Sequence, residues 1–252
     1  MSQLYTQLSA VYQAMYKSFI NYEEEFDFYN GILAKYQCKS VIEIGCGTGN
    51  LAQPFSKSGV EYTGLDLSEE MLQLARLNDP RSVFMKADMR NFTLPQQKES
   101  CIITGRTISY LISNQDVLDA FYSINRNIKH DAILCFDFIN ANTFVPSMQQ
   151  EIQVVHKATD QSKKYQRTSL WKMNNLASWT FDWESVYYEE LEEGQLLEIG
   201  QDHSIIRTFT KDDMHLFLSL SGFEVLEMIP RASYAFDTLV AIAQKKKHIE
   251  LS

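Results

Sequence analysis

The fold is decided by one stretch of sequence, Val41-Ile42-Glu43-Ile44-Gly45-Cys46-Gly47-Thr48-Gly49-Asn50. Its first half is a short apolar run, which is typical of a buried strand in a parallel sheet. Its second half has a glycine at every second position, and glycine lets the backbone turn sharply and pass close to a ligand. A helix pattern follows, and the start of a helix supplies unpaired N–H groups. The stretch therefore predicts a strand, a glycine-rich turn that binds a ligand, and a helix.

Strand and helix patterns alternate on both sides of this stretch. Amphipathic helices are predicted before it, over residues 4–19 and 22–36. Further strands are predicted after it, at 61–66, 82–87, 100–105 and 132–138, and later at 223–229 and 236–243. Such alternation indicates right-handed βαβ units and a mostly parallel sheet with helices on both faces. We therefore expect a doubly wound α/β domain formed by residues 1–150 and 210–252.

Residues 151–209 interrupt this alternation with a period of two. Trp179, Phe181 and Trp183 share one face of the pattern, and the polar residues between them share the other. This pattern indicates an antiparallel meander of about four strands. We interpret the aromatic stripe as the buried face of the meander and expect the insertion to cover the active site. A capping-box pattern at 210–213 then predicts the start of a helix.

Composition excludes several classes of protein. The chain has 252 residues, 45% of them hydrophobic, which is enough apolar material for a packed core. A net charge of −9 repels phosphate backbones, so we expect no nucleic-acid partner. The basic run 245–247 is interpreted as a solvated tail. The four cysteines are scattered without metal-ligand spacing, and no signal peptide or 18-residue apolar run is present. We expect a cytoplasmic protein with no metal and no membrane segment, either a monomer or a homodimer.

The glycine motif distinguishes between two nucleoside cofactors. A dinucleotide fingerprint, GxGxxG/A, requires glycine or alanine five positions after the first glycine, where this chain has Asn50. Glu43 also precedes the turn on the strand. A carboxylate there would repel a pyrophosphate, but it fits the ammonium of an amino-acid moiety. The motif therefore favours S-adenosylmethionine over NAD.

Acidic and apolar residues after the next two strands fit the rest of a nucleoside. Asp66 ends the second strand and can accept hydrogen bonds from ribose hydroxyls, as such an acid does for NAD as well. Leu67 and Met71 can contact the adenine, and Asp88 can accept from its exocyclic amine. Each also has an ordinary interpretation: Asp66 as a helix cap, Met71 as core and Asp88 as a loop residue. Their joint occurrence after successive strands favours the nucleoside site.

These stretches, with Gly64-Leu65-Asp66-Leu67-Ser68 and Ala87-Asp88-Met89, strongly resemble the class I S-adenosylmethionine-dependent methyltransferases. More narrowly, Phe136-Asp137-Phe138-Ile139-Asn140 and Arg207-Thr208-Phe209-Thr210 resemble small-molecule members with a β-meander, including sugar N,N-dimethyltransferases. The resemblance implies a seven-stranded sheet in the order 3-2-1-4-5-7-6 with the last strand antiparallel. It implies that S-adenosylmethionine is bound by a set of residues that comprises Glu43, Gly45, Cys46, Gly47, Gly49, Asp66, Leu67, Met71, Asp88, Met89 and Arg106, with Arg106 at the methionyl end.

The acceptor side is less well defined by the sequence. Tyr12 and Tyr16 lie one helical turn apart and can face one cleft, although both can equally be packing residues. Tyr110 follows the fourth strand at the switch region of the sheet, where ligands bind in such folds. His203 and Arg207 share a face of the last meander strand, and His203 can act as a base near neutral pH. We expect methyl transfer to a nitrogen or oxygen of a small molecule; an NAD-dependent oxidoreductase and a non-catalytic S-adenosylmethionine sensor are the alternatives.

Overall fold

The structure is a computed structural model that describes residues 9–148, 151–160, 163–174, 179–232 and 236–249. Its first half contains α1 (Ser9–Phe19), α2 (Tyr22–Lys35), β1 (Ser40–Ile44), α3 (Ala52–Lys57), β2 (Glu61–Asp66), α4 (Glu69–Asn78), β3 (Val83–Lys86), β4 (Lys98–Ile103), a 3-10 helix (Thr107–Tyr110) and α5 (Asn114–Asn127). Its second half contains β5 (Ile128–Ile139), α6 (Ala141–Ser147), β6 (Ile152–Asp160), β7 (Lys163–Met173), β8 (Thr180–Glu190), a 3-10 helix (Glu192–Gly194), β9 (Leu196–Arg207), α7 (Lys211–Leu220), β10 (Phe223–Arg231) and β11 (Thr238–Lys245).

The main sheet has seven strands in the order β3-β2-β1-β4-β5-β11-β10. Strands β1 to β5 pair in parallel, whereas β11 runs antiparallel to both β5 and β10. With β10 and β11 counted as the sixth and seventh strands, this is the predicted order 3-2-1-4-5-7-6, which is confirmed. Strand order reverses between β1 and β4, and ligands bind in the crevice at the carboxyl ends of the strands at such a point.

Apolar side chains cover both faces of this sheet. Every residue of β1 is buried, as expected for a central strand with helices on both sides. Ile42 and Ile44 pack with α5 and α7 on one face, whereas Val41 packs with α2, α3 and α4 on the other. Because β1 is enclosed in this way, the turn that follows it has a fixed position at the crevice.

A second sheet contains β6-β7-β8-β9, all antiparallel, so the predicted meander is confirmed. We call the buried face of this sheet, which carries Phe181 and Trp183, its inner face. It packs with Phe144 of α6. Trp179 was predicted on that face, and this is wrong. Trp179 is 44% exposed and has a φ of 59°, because the backbone leaves the extended conformation just before β8 begins. Helix α6 was not among the elements predicted from the sequence.

Three local predictions concern the start of α7, the first helix and the basic run 245–247. Thr210 and Asp213 form the predicted capping box at the start of α7. The predicted helix at 4–19 begins outside the described residues, and its described part is α1. The run 245–247 is not wholly a solvated tail. Lys245 is 2% exposed, and its Nζ donates to the carbonyl oxygens of Asn125 (2.6 Å) and Ile128 (2.9 Å), which lie at the end of α5.

Candidate functional site

A cavity of about 930 Å³ lies at the carboxyl ends of the central strands. It extends from the glycine-rich turn after β1 to the inner face of the meander, and α1 forms another wall. Most of the predicted site residues line it, namely Tyr12, Tyr16, Glu43, Gly45, Cys46, Gly47, Asp66, Leu67, Asp88, Met89, Arg106, Tyr110 and His203. Gly49, Met71 and Arg207 were also predicted, but the structure does not place them on its wall.

The glycine-rich turn approaches its neighbours closely at two of its glycines. Gly45 has a φ of 72°, and a Cβ there would lie 2.5 Å from Oγ1 of Thr107. Gly49, also predicted to contact the cofactor, is not on the cavity wall, and its surroundings show a packing role. A Cβ at Gly49 would lie 3.0 Å from Ala75 and 3.0 Å from Phe84, so glycine allows α4 and β3 to approach the turn. Gly47, by contrast, faces the cavity with the Tyr12 hydroxyl 3.9 Å from its ideal Cβ position.

Glu43 is a buried carboxyl group on β1, two residues before this turn. It is 3% exposed, and its oxygens accept hydrogen bonds from the hydroxyls of Tyr62 (2.5 Å) and Thr104 (2.8 Å). Burial raises the pKa of Glu43 to about 7, even though both hydrogen bonds act in the opposite direction. A cation placed beside this carboxyl group would favour its ionised form. The site is therefore suited to an ammonium group, which is the chemistry predicted from the sequence.

Asp66 holds the turn and the start of α4 together. One carboxylate oxygen accepts from the N–H of Gly47 (2.8 Å), and the other accepts from the N–H of Ser68 (2.9 Å). Burial raises the pKa of Asp66 above its ordinary value, with these backbone hydrogen bonds opposing the shift. Leu67 next to it is 47% exposed and forms an apolar part of the cavity wall. A carboxylate beside an apolar surface matches the predicted contacts to a ribose and a base.

Two residues predicted near the base behave differently from the expectation. Met71 is 1% exposed in the first turns of α4 and does not reach the cavity, because the amphipathic helix turns this position towards the sheet. Asp88 lines the cavity together with Met89, but its carboxylate is held by Arg90. The Nε and Nη2 atoms of Arg90 donate to it at 3.0 and 2.6 Å, and Arg90 also pairs with Asp116. These contacts hold the pKa of Asp88 below its ordinary value.

Arg106 lies where the sequence placed it, in the loop after β4. It adopts a left-handed conformation with a φ of 63°, and its backbone N–H donates to the Asp137 carboxylate at 2.8 Å. Its guanidinium lies 5.3 Å from the ring centroid of Phe236. Burial raises the pKa of Asp137 to about 6, and the hydrogen bond from Arg106 opposes this shift. Asp137 therefore fixes the loop that carries Arg106 across the cavity.

The aromatic candidates for the acceptor side lie together. Tyr12 and Tyr16 stack with ring centroids 4.0 Å apart, and both line the cavity as α1 crosses it. Tyr110 lies at the end of the 3-10 helix and packs with the same apolar cluster as Tyr12. Tyr12 and Tyr16 were predicted either to face a cleft or to be packing residues. They do both, because the two rings stack on each other and also form part of the cavity wall.

His203 and Arg207 do not form a pair in the cavity. By strand register both lie on the face of β9 opposite to the inner face, where Nε2 of His203 bonds with Asp182 at 2.8 Å. His203 still reaches the wall of the cavity, whereas Arg207 does not. Arg207 is 6% exposed and donates to the Ile112 carbonyl and the Asn114 side chain. Arg207 thus ties β9 to the start of α5, and its prediction as an acceptor contact is corrected. The alternation of β9 explains the place of Arg207, because the inner face carries Ser204 and Ile206, which pair with Trp183 and Phe181 and line the cavity.

Sequence reasoning missed two residues of the inner face, His156 and Arg167. The strand register places His156 opposite Arg167 and Arg167 opposite Tyr187. Both line the cavity, and Arg167 is only 2% exposed. A signal was present, because Arg167 lies four residues before Trp171 on β7 and therefore shares its face.

The described residues suit S-adenosylmethionine as a ligand. The glycine-rich turn offers close approach at Gly47, a buried carboxyl at Glu43 fits an ammonium group, and a carboxylate at Asp66 fits ribose hydroxyls. Leu67 and Met89 add apolar wall for a base. No group of three or more metal-ligating side chains occurs in the described ranges. Nor does any described helix have the length and hydropathy needed to cross a membrane.

Comparisons with known proteins agree with this interpretation. Residues 41–131 match the family model described as a methyltransferase domain. The putative methyltransferase YqeM of Bacillus subtilis (strain 168) is 36% identical over 101 residues, which are 38% of this chain and 41% of that protein. The chain spans 41% to 57% of the length of four curated relatives, and 76% of the putative methyltransferase GWCH70_2453 of Geobacillus sp. (strain WCH70), to which it is 27% identical.

Two solved structures share nearly the whole architecture. An S-adenosylmethionine-dependent methyltransferase from Clostridium acetobutylicum ATCC 824 has a TM-score of 0.78 at 13% identity, over 96% of this chain and 99% of that one. The amino pentose methyltransferase CalS10 from Micromonospora echinaspora has a TM-score of 0.77 at 18% identity, over 94% and 97%. At such identities the likeness shows a shared fold.

By its motifs residues 41–131 match a methyltransferase domain, and the fold of the described residues is that of the class I S-adenosylmethionine-dependent methyltransferases. Within that class it has the architecture of sugar methyltransferases such as CalS10, so the narrower resemblance is confirmed for the fold. The family match also assigns the glycine motif to methyltransferases, which removes the NAD-dependent oxidoreductase from the alternatives.

Proposed function

We propose that this protein transfers a methyl group from S-adenosylmethionine to a nitrogen or oxygen atom of a small molecule bound at the acceptor end of the cavity. The acceptor end is defined as the wall formed by α1, the inner face of the meander and Phe236. One observation carries the proposal. A single cavity joins the glycine-rich turn to that aromatic wall, and its volume of about 930 Å³ lies in the range of small-molecule sites.

The size and lining of the acceptor end favour a small molecule over a macromolecule. Trp171 and Trp183 stack with centroids 5.0 Å apart, and Tyr16 and Phe19 lie near them across the Arg167 guanidinium. Such rings bind a small ligand by enclosing its apolar surface. The amino pentose methyltransferase CalS10, which shares the fold, supports an acceptor of this size. We also propose that residues 151–209 are an insertion that covers the active site.

The protein's own residues have a limited task in such a reaction. When bound, S-adenosylmethionine supplies a methyl group already activated on a sulfonium. Glu43 and Asp66 would hold its amino-acid and ribose ends, and Arg106 would contact the methionyl side. The aromatic wall would orient the acceptor and exclude water. Holding two reactants in line can contribute about 7–11 kcal/mol to lowering the barrier, so no protein nucleophile is required.

Turnover with labelled cofactor tests this proposal. The wild-type protein is incubated with methyl-labelled S-adenosylmethionine and a panel of amines, amino sugars, hydroxy acids and phenols. Asp66→Ala, which removes a contact to the cofactor, serves as the matched control. We expect label in at least one small molecule with the wild type and a large loss with the variant.

The remaining alternative is a sensor that binds the cofactor without turnover. Binding residues and catalytic competence are separate properties, so binding of S-adenosylmethionine alone does not distinguish the two. A protein that binds the cofactor tightly yet labels no member of the panel, including polyamines and nucleotide-linked sugars, would contradict methyl transfer to a small molecule and support the sensor.

A further inference from the structure

Tyr62 is a buried tyrosine on β2 whose hydroxyl contacts the carboxyl group predicted to meet the amino-acid end of the cofactor. It is 4% exposed and donates to Oε2 of Glu43 at 2.5 Å. Strand register explains the contact, because Tyr62 pairs with Val41 on β1 and therefore lies beside the strand that carries Glu43, on the same face. Glu43 lines the cavity, whereas Tyr62 does not. Tyr62 can therefore act on a ligand in the cavity through Glu43.

The ring of Tyr62 is held in place by its aromatic neighbours. The ring centroids of Phe55 and Phe84 lie 6.0 and 6.2 Å from that of Tyr62. Because these contacts involve only the ring, phenylalanine at position 62 would keep them. Burial, with the charge of Glu43 acting in the same direction, raises the pKa of Tyr62 well above its ordinary value. The hydroxyl therefore keeps its proton and remains a donor to Glu43.

Thr104 supplies the second donor to the same carboxyl group. It directly follows β4, and its hydroxyl donates to Oε1 of Glu43 at 2.8 Å. A carboxylate has about four acceptor positions, two on each oxygen. One donor on each oxygen therefore fixes the orientation of the carboxylate and leaves acceptor capacity on both oxygens for a ligand. Both donors are neutral hydroxyls, so neither competes as a cation with an ammonium group.

Further titratable groups face Glu43, and none of these is a cation: Tyr22 and Glu25 on α2, Asp66 at the end of β2, and Cys46 in the turn after β1. Burial raises the pKa of Glu43 to about 7, and the charges of Asp66 and Glu25 act in the same direction. The hydrogen bonds from Tyr62 and Thr104 oppose this shift, and that from Tyr62 has the larger effect. Without a ligand, these two hydroxyls are thus the groups that favour the ionised carboxylate.

We propose that Tyr62, assisted by Thr104, is a positioning residue for the cofactor: the two hydroxyls hold the Glu43 carboxylate in one orientation for the ammonium group of S-adenosylmethionine, and they set the lowest pH at which this ligand binds. The inference rests on the proposed function, because it requires that Glu43 pairs with that ammonium group. A hydrogen bond to a charged acceptor is stronger than one to a neutral acceptor. Without one of the hydroxyls, Glu43 stays protonated up to a higher pH and cannot form the pair.

Tyr62→Phe removes the hydroxyl and keeps the ring, so it tests the proposal directly. Calorimetry measures the affinity for S-adenosylhomocysteine, which has the same amino-acid group, between pH 5.5 and 8.5. We expect the increase of affinity with pH to move to higher pH by at least about half a unit, which is a loss of about threefold or more near pH 6 and a smaller loss at pH 8.5. An equal loss at every pH, or no loss, would overturn the proposal, because a role in packing alone leaves the pH profile in place.

Tyr29→Phe is the matched control for this variant. Tyr29 is also buried, at 1% exposure, but its hydroxyl has no hydrogen-bond partner among the residues that the structure describes. We expect the pH profile of Tyr29→Phe to coincide with that of the wild type. A displacement as large as that of Tyr62→Phe would overturn the proposal, since it would arise without a contact to Glu43.

Thr104 offers a second pair of variants in case Tyr62→Phe does not fold. Thr104→Ser keeps the donor, and Thr104→Val removes it with little change of shape. We expect only Thr104→Val to displace the profile to higher pH, and coincident profiles of the two would overturn the proposal.

The titrations also separate this inference from the proposed function. They need no methyl acceptor, so failure of the labelling assay leaves them unaffected. Absence of S-adenosylhomocysteine binding by the wild type at every pH would contradict the proposed function itself. Binding with coincident profiles in the wild type and the hydroxyl-free variants would contradict only the role of Tyr62 and Thr104.

Discussion

Replacement of Glu43 by Gln tests the burial of this carboxyl group, and its effect on stability has a calculable size. The pKa of Glu43 is raised from 4.5 to about 7 by burial. Folding therefore favours the protonated carboxyl, a contribution that is fully present below pH 4.5 and is lost as the pH rises through 7. One pKa unit corresponds to 1.36 kcal/mol, so the loss between pH 4.5 and 8.5 amounts to about 3 kcal/mol.

The glutamine variant removes this titration while keeping the shape of the side chain. Because the hydroxyls of Tyr62 and Thr104 can rotate to accept from an amide, we expect similar stability of both proteins at pH 4.5. At pH 8.5 the variant should be the more stable by about 3 kcal/mol. Urea unfolding of both proteins without cofactor, at several pH values, measures the difference. A difference that stays constant across this range would refute the assignment of a desolvated carboxyl at Glu43.

The same variant should bind the cofactor product less well, although it is the more stable protein. Pairing with an ammonium group requires the ionised carboxylate. As the pH is raised towards 7, the affinity of the wild type for S-adenosylhomocysteine should therefore increase, by up to about tenfold per pH unit. The glutamine variant should show a nearly flat profile. Calorimetric titration at pH 5.5 and 8 distinguishes the two. Equal profiles would show that Glu43 does not face the amino-acid end.

Two further changes test other parts of the structure. Asp66→Ala removes the acceptor for the Gly47 N–H and the predicted ribose contact, so we expect S-adenosylhomocysteine affinity to fall by about 1–3 kcal/mol, or roughly 5- to 150-fold, in calorimetry; unchanged affinity would exclude the ribose contact. Lys245→Met removes both donors to the carbonyls of Asn125 and Ile128, and urea unfolding should show a loss of about 1.5–3 kcal/mol. Lys246→Met, on the more exposed neighbour, is the control, and equal losses in the two would contradict the buried role.

The sequence predicted the places of the glycine-rich turn, Glu43 and Asp66 because local patterns determine them. The turn after β1 lies between an apolar run and a helix, and the positions of Glu43 and Asp66 at strand ends follow from the order of strands. Parallel strands bring their carboxyl ends to one edge, so residues far apart in sequence meet there. Met71 was predicted to contact the adenine but lies in the core. Residues on opposite faces of an amphipathic helix are only one or two positions apart in sequence, so only the packing shows which face a methionine occupies.

The acceptor side depends on strand register, which the sequence does not state directly. Moving a strand by one residue exchanges its two faces, so the sequence did not show that Arg207 lies on the outer face of β9 while Ser204 and Ile206 lie on the inner face. His156 and Arg167 become neighbours only through the β6–β7 pairing. Trp179 shows a related limit, because its left-handed backbone ends the alternation that otherwise continues through Phe181.

The distribution of tryptophan gives this protein an intrinsic optical reporter. All three tryptophans of the chain belong to the meander region, and two of them, Trp171 and Trp183, stack in the wall of the acceptor end. None lies at the glycine-rich turn. Emission from Trp171 and Trp183 therefore reports on one side of the cavity, and a ligand that packs against their rings should change the spectrum directly.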